Sequence, residues 1–190
     1  MTELLVKHMQ SLLPNVIVSK DNLLPFTRTQ FVKKDELILK ENELCDSLYF
    51  VTKGCLYMYY EQNNTQQVIH FALENWWMTD YKTFANQSPA VYSIRAMEDS
   101  ELIVMNRHQY EALLNQYPVI AVYFNKIHER AYGAALLKQK TYAVTPKEEF
   151  YRYFKNTYPD IIARIPDAIF ASYMQVSLEE LIHLKRSGIS

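Results

Sequence analysis

The first residues of the chain place apolar side chains at helical spacing. Leu4, Leu5, Met9 and Leu12 follow one another by steps of one, four and three residues. Such steps put the side chains on one side of an amphipathic helix, which is expected to pack on the remainder of the domain. The pattern therefore predicts a helix within residues 1–25 and a second, short one before Pro25.

Between Phe26 and Met105 the pattern changes to short runs of β-branched and aromatic residues, separated by polar turns. Runs of this length and spacing predict an all-β barrel, roll or sandwich. Gly54 and the polar stretch 61–65 have the composition of hairpin connections. The predicted strands are Thr29–Val32, Glu36–Leu39, Ser47–Lys53, Gly54–Tyr60, Gln66–Ala72, Tyr92–Met97 and Glu101–Asn106.

Helical spacing returns after the strands. Asn106 can cap a helix that runs through Tyr117, and Pro118 fits the first position of a longer helix reaching about Tyr142. The longer helix carries an apolar seam with heptad-like steps of four and three residues. This seam either covers the β domain or pairs with a second copy of the chain, and the two interpretations have equal weight. The seam consists of Ile120, Phe124, Ile127, Ala131 and Ala134.

The last 46 residues contain two helix-start signatures. Thr145 precedes Pro146 and Glu148, which is typical of a cap, a first position and a capping box. Ser177 begins a second box, from which a helix is expected to start at about Leu178. A further helix near 166–174 leaves only two residues before Ser177, which is the spacing of a helix-turn-helix. DNA is therefore the leading partner.

Composition indicates the size of the folded domains and the cellular location of the chain. A chain of 190 residues with 49% apolar content can bury a real core and divides into one medium and one small domain. It shows neither a signal-peptide stretch nor an apolar run of membrane-spanning length, so a cytoplasmic location without a membrane partner is expected. Cys45 and Cys55 are then expected to pack as small hydrophobic residues rather than as a disulfide.

Charge gives the DNA interpretation little support. The net charge is −1, and the segment from Thr145 onward contains six basic and six acidic residues. It therefore presents no basic field. Lys185 and Arg186 lie at the end of the last helix and Glu179 at its start, an arrangement that stabilisation of the helix macrodipole also explains.

The order of these elements resembles the Crp/Fnr family of bacterial transcription regulators over nearly the whole chain. The resemblance rests on residues 31–36 and 45–54, and on residues 165–166, 170–174 and 177–181. It implies an α+β fold: N-terminal helices with a double-stranded β-helix (a jelly-roll-like β-roll), a long dimerisation helix, and a small all-α helix-turn-helix domain without a full wing. The implied boundaries are 1–117, 118–144 and 145–190.

The resemblance also locates an effector site. Family members that bind cyclic AMP hold the ribose with a glutamate and the phosphate with an arginine, and Asp80 and Ala90 stand at these positions. Alanine cannot replace a bidentate guanidinium, so cyclic AMP is not expected. No cofactor is certain, and the effector is expected to be an unknown small molecule. An apolar or aromatic molecule would fit the aromatic side chains near these positions. The alternative is that these rings fill the core and that Arg95 is an ordinary surface residue. The candidate effector residues are Trp77, Asp80, Tyr81, Tyr92, Ser93 and Arg95.

The expected reading helix departs from the family pattern. A Ser-Arg pair is common in its middle, whereas Ile182 and His183 stand there, and histidine lacks the fork that pairs with guanine. Gln175 replaces the turn glycine and must avoid or accept a left-handed conformation. The candidate DNA contacts are Ser177, Glu179, His183, Lys185 and Arg186.

The sequence is compatible with three functions. The first is a homodimeric, effector-responsive regulator that reads a pseudo-palindromic site, with a hinge at residues 143–145 and RNA polymerase as a further implied partner. The second keeps the sensor and assigns the C-terminal helices to protein contacts. The third, an enzyme, has the weakest support because the five histidines are scattered and no catalytic or metal-binding motif is present. No catalytic or metal-ligating residue is therefore named.

Overall fold

A computed structural model describes residues 1–14 and 16–187. The chain divides into two compact units, one formed by Met1–Tyr60 with His70–His128, the other by Glu61–Ile69 with the chain from Glu129 onward. This division differs from the boundaries at 118 and 145. The long helix is shared between the units, and a short segment of the strand region joins the C-terminal helices.

The N-terminal segment forms two helices, α1 (Thr2–Leu12) and α2 (Lys20–Leu23), and a 3-10 turn at Leu24–Phe26. Leu5, Met9 and Leu12 are buried, as the spacing predicted. Ser19 caps α2 in a capping box with Asn22. The prediction of a first helix and a short second one is confirmed.

Within the described residues, eight strands form two four-stranded sheets. The strand orders are β1-β8-β3-β6 and β2-β7-β4-β5, so the predicted β-roll is confirmed. All seven predicted strands are present, and β6 was missed because a two-residue strand carries no period of its own. The strands are β1 (Arg28–Val32), β2 (Leu37–Leu39), β3 (Ser47–Lys53), β4 (Leu56–Gln62), β5 (Thr65–Ala72), β6 (Trp77–Met78), β7 (Ser93–Ala96) and β8 (Ser100–Asn106).

Both predicted hairpin connections have the backbone that their residues allow. Asn63 and Asn64 lie between β4 and β5 with positive φ angles of 52° and 59°, a conformation that asparagine tolerates and two-residue hairpins require. Gly54 has φ +98°, and a Cβ added there would lie 2.1 Å from Ser100 Oγ. Both facts restrict this turn to glycine.

Three helices follow or interrupt the strands: α3 (Tyr81–Asn86), α4 (Arg107–Gln116) and α5 (Ile120–Val144). Asn106 caps α4 as predicted, in a capping box with Gln109. The short helix α3 was not predicted. No helix in the described ranges is long and apolar enough to span a membrane.

The C-terminal segment contains α6 (Lys147–Thr157), α7 (Pro159–Arg164), α8 (Asp167–Met174) and α9 (Leu178–Ser187). Helix α9 starts where the sequence predicted, and Ser177 Oγ accepts the Glu180 amide at 3.1 Å. Gln175 accepts the left-handed conformation, with φ 56°. The predicted cap at Thr145 is wrong, because α5 extends to Val144 and Pro146 precedes α6 without a side-chain cap. The break between the helices therefore lies at residues 145–146 rather than 143–145.

Candidate functional sites

The Asp80 carboxylate is a structural group. It is buried before α3 and accepts hydrogen bonds from the amides of Thr83 at 3.4 Å and Val91 at 2.9 Å. It therefore caps α3 and ties down the loop after that helix. The sequence suggested a ribose contact for Asp80, but each of its oxygens already accepts a backbone N–H.

Trp77 belongs to the core of the first unit rather than to the lining of a pocket. Its indole N–H donates to the Tyr123 hydroxyl at 2.7 Å, and that oxygen lies 2.8 Å from His8 Nδ1. The centre of the Trp77 ring also lies 5.5 Å from the centre of the Phe124 ring. This network joins β6, α5 and α1, so the expectation that Trp77 binds an effector is corrected.

Tyr81 presents an unused polar group. Its hydroxyl is buried and has no hydrogen-bond partner within the described residues. The ring meets His128 edge-on at 4.8 Å, and burial lowers the pKa of that histidine. Because buried polar atoms are nearly always paired, the free hydroxyl marks a position where a ligand atom would be stabilised.

Ser93 and Arg95 share one face of β7, because side chains two residues apart in a strand point to the same side. Ser93 lies opposite Tyr59 and Arg95 opposite Tyr57 on β4. Ser93 is buried and accepts the Glu41 amide at 3.0 Å. It therefore has a structural partner, which corrects its assignment to the effector site.

Arg95 has hydrogen-bonding capacity to spare. Its Nη2 donates to the Tyr59 hydroxyl at 3.1 Å, and the guanidinium carbon lies 5.6 Å from the centre of that ring. Its Nε is buried without a partner among the described residues. Tyr92 is half-buried, and the centre of its ring lies 6.4 Å from the centre of the Tyr60 ring. Of the six effector candidates, Trp77, Asp80 and Ser93 have hydrogen-bond partners within the fold, whereas Tyr81 and Arg95 each keep a buried polar atom without a partner among the described residues.

The predicted seam of α5 packs, at its start, within its own chain. Ile120 and Phe124 are each only 1% exposed in the core of the first unit. They are unavailable to a partner subunit, which corrects their assignment to a dimer interface. Ile127 is half-buried, and Ala131 and Ala134 are exposed.

A different side of α5 exposes larger apolar groups. Val122, Tyr132 and Leu136 are 46%, 68% and 48% exposed. A Cβ added at Gly133 would meet no atom within 4 Å. At about 100° per residue, Val122, Gly133 and Leu136 lie on the side opposite Phe124 and Ile127. Sequence periodicity identified an apolar stripe, of which the chain itself covers the first part, at Ile120 and Phe124.

Helix α9 presents an exposed row outside the second unit's core. Leu181 and Leu184 are buried, whereas Glu179, His183 and Arg186 are exposed. Lys185 instead forms an ion pair with Asp167 at the start of α8. This contact joins the two helices, and a DNA contact by Lys185 stays a prediction that requires the ion pair to open. The predicted contact Ser177 is also exposed, although its hydroxyl caps α9.

Two side chains hold the end of α8, and no sequence pattern indicated either of them. The Tyr142 hydroxyl donates to the carbonyl of Tyr173, and Lys147 Nζ donates to that of Met174 at 3.0 Å. They satisfy carbonyls that a helix C-terminus leaves open. Both contacts lie within the second unit and link the end of α5 and the start of α6 to α8.

Comparison with known proteins agrees with this architecture. Residues 29–117 match the cyclic nucleotide-binding domain family. No curated protein matches the chain in sequence. FixK2 from Bradyrhizobium japonicum has a similar structure, with a TM-score of 0.74 at 15% identity over 85% of this chain and 83% of its own.

Two other solved structures are similar over comparable lengths. A CooA mutant from Carboxydothermus hydrogenoformans has a TM-score of 0.72 at 12% identity, over 94% of this chain and 83% of its own. The c-di-GMP-responsive global regulator CLP from Xanthomonas campestris has a TM-score of 0.71 at 12% identity, over 88% of each chain. Identities this low establish a common fold alone.

Proposed function

We propose that this protein is a Crp/Fnr-type transcription regulator that binds a pseudo-palindromic DNA site as a homodimer under control of a small molecule. The observation that carries the proposal is the α8–turn–α9 unit with its exposed row Glu179, His183 and Arg186. It comes after a β-roll and a long helix, in a chain whose fold is similar to that of the regulator CLP. A DNA-binding role implies a cytoplasmic location. In this proposal, residues 1–117 form the sensor, residues 118–144 the dimerisation helix, and residues 145–190 the DNA-binding domain.

Dimerisation would use the uncovered side of α5. The exposed groups Val122, Gly133 and Leu136 recur at heptad-compatible positions. Two such helices would pair closely at Gly133, where no side chain intervenes. Two reading helices related by a two-fold axis would then fit half-sites roughly 34 Å apart.

The effector would contact Tyr81, Tyr92 and Arg95. Arg95 has a buried, unpaired Nε and no ion pair with a carboxylate among the described residues. A guanidinium of this kind favours an anionic group, and the tyrosine rings favour an aromatic or apolar one. Cyclic AMP is not expected, because Ala90 stands where family members place the phosphate-binding arginine and offers no guanidinium.

A second candidate function is binding of a protein partner by α9. Leu178 and Ile182 are exposed on this helix beside Glu179 and Glu180. An acidic, partly apolar helix start suits a protein surface better than a phosphate backbone, which carries negative charge. RNA polymerase, which the family resemblance implies as a partner, belongs to this class of contact.

Selection of duplexes from a random pool by the full chain separates the two functions. The regulator predicts a pseudo-palindromic winner whose affinity falls steeply with salt, because phosphate contacts release counterions. His183→Ala should relax base preference, whereas the exposed Lys155→Ala on α6 serves as a matched control. If an intact dimer enriches no sequence and shows no salt-dependent binding, the DNA-binding role is contradicted for the effector-free protein.

A further inference from the structure

The first half of strand β5 is tied to helix α8 by one serine. Ser172 Oγ donates to the Gln66 carbonyl at 2.7 Å and accepts the Val68 amide at 2.9 Å. The hydroxyl thus makes two hydrogen bonds, one to a backbone carbonyl and one from a backbone amide, that a neighbouring β-strand would otherwise make. All three residues lie in the second unit, so the contact joins the strand to the helix-turn-helix.

Lys138 on α5 makes a second tie to the same strand. Its Nζ donates to the carbonyl of Ile69, the residue after Val68. The ammonium also lies 3.8 Å from the centre of the Tyr173 ring and 5.1 Å from that of Tyr142. Lys138 has no ion pair with a carboxylate among the described residues. The carbonyl and the two rings therefore surround the Lys138 amine, which makes the strand part of the lysine's environment.

The same strand covers the flank of the helix-turn-helix. A cavity of about 410 Å³ lies between Thr65 and Gln67 on β5 and the facing surface of the C-terminal helices. In a helix-turn-helix bound to DNA, the second helix enters the major groove at its N-terminal end and the first crosses the backbone. The strand lies beside both of these parts. The facing residues are Ala168, Ala171, Ser172, Gln175, Val176 and Leu178.

From these contacts we infer that residues 66–69 form an autoinhibitory latch, which holds α8 and the start of α9 beside β5 and hinders the approach of a duplex. The inference rests on the proposed DNA-binding function. The latch strand continues to Ala72 in the β2-β7-β4-β5 sheet, of which β5 is the edge. An edge strand pairs on one side only, so it can shift without breaking a second ladder. Movement of β5 by an effector would then release Ser172.

Amide hydrogen exchange of the full chain tests the contact itself. Ser172→Ala removes both hydrogen bonds, and alanine is the better helix former, so α8 should remain folded. We expect the Val68 amide to exchange roughly tenfold faster or more, as loss of a net-stabilising hydrogen bond allows. Ser187→Ala is the matched control, because the Ser187 hydroxyl bonds only within α9. Unchanged exchange at Val68 would overturn the latch.

Lys138→Met provides an independent variant. Methionine keeps much of the packing volume but removes the donor to Ile69 and the cation above the rings. We expect faster exchange at residues 66–69 in this variant also. Protection equal to that of the wild type would show that Lys138 takes no part in the latch.

Affinity for a duplex taken from the random pool tests autoinhibition. Without an effector, Ser172→Ala should bind this duplex roughly tenfold more tightly than the wild type, since release of two hydrogen bonds shifts the latched equilibrium. Equal or weaker binding by a variant with a freed Val68 amide would overturn autoinhibition while the contact stands. If neither protein selects a duplex, the DNA-binding function fails together with autoinhibition, and the exchange result still reports whether the contact exists.

Discussion

The Trp77 indole donates a hydrogen bond to the hydroxyl of Tyr123, at 2.7 Å, and this bond joins strand β6 to helix α5 inside the first unit. Both residues are buried. The long helix is therefore anchored to the β-roll through a polar contact as well as by apolar packing. Burial raises the pKa of Tyr123, so its hydroxyl stays protonated throughout the physiological range.

Tyr123→Phe should destabilise the first unit. The change removes the acceptor of the buried Trp77 N–H, which costs roughly 1–3 kcal/mol in the free energy of unfolding. Urea titration followed by tryptophan fluorescence measures this loss. Tyr132→Phe, at an exposed position of the same helix, should leave the midpoint unchanged. Equal midpoints for Tyr123→Phe and the wild type would contradict the anchoring role.

Asp80→Ala should also destabilise the first unit. The amides of Thr83 and Val91 lose their acceptor, at an expected cost of roughly 1–2 kcal/mol. The change is measured by thermal unfolding, with the exposed Glu61→Ala as control. Addition of cyclic AMP should leave the melting temperature of the wild type unchanged, because a ligand that does not bind the folded state cannot stabilise it. A raised melting temperature would disprove the exclusion of cyclic AMP.

The stability of the second unit should rise with pH above neutrality. Burial lowers the pKa of Lys138 from 10.5 to about 7. Between these values the unfolded chain binds more protons than the folded chain, so the free energy of unfolding increases with pH. The rise should extend from about pH 7 to about pH 9, below the ordinary tyrosine pKa of about 10. Denaturant unfolding across this range measures it.

Two lysine variants separate this effect from the rest of the chain. Lys138→Met should remove the rise, because the buried titrating group is gone. Lys140→Met, two residues away at an exposed position, should keep it. A slope that survives in Lys138→Met would assign the pH dependence to other groups.

A charge on the uncovered side of α5 should dissociate the proposed dimer. Leu136 is 48% exposed in the single chain, so Leu136→Asp should leave each chain folded and convert the dimer to monomer in sedimentation experiments. An unpaired carboxylate buried at a helix seam is strongly destabilising. Ala134→Asp lies on the opposite side of the helix and is the matched control. Dissociation by Ala134→Asp alone would favour the seam that the sequence predicted.

Arg186→Ala should report a phosphate contact. Arg186 is exposed on α9, and loss of one such contact should reduce the slope of log affinity against log salt by about 0.9. Lys185→Ala should have a smaller effect on the slope, because Lys185 is paired with Asp167. A larger change for Lys185→Ala would show that the ion pair opens when DNA binds.

Local sequence patterns were sufficient wherever the cause of a structure is local. The caps at Asn106 and Ser177 have the predicted roles, because a cap depends on residues three positions apart. The seven predicted strands are present for the same reason, since alternation and turn residues act over a few positions. Cys45 and Cys55 are both buried, as expected for cysteines that pack as small hydrophobic residues.

The choice between two sides of an element was decided by tertiary structure. The seam of α5 was visible in the sequence, yet only packing shows that Ile120 and Phe124 face the core of their own chain. The same holds for Asp80, whose partner Val91 lies beyond a helix that no periodicity revealed. A short helix such as α3 forms because its neighbours hold it, and six residues carry too little intrinsic preference.

From the sequence alone the β-roll and the start of helix α9 at Leu178 could be predicted, since both depend on spacing along the backbone. Only the tertiary structure shows which buried polar side chains have a hydrogen-bond partner and which lack one among the described residues. Ser172 and Gln66 are separated by 106 positions, and no local preference links two residues so far apart. Their contact exists because the folded chain brings the strand and the helix together, and the regulatory inference depends on that contact.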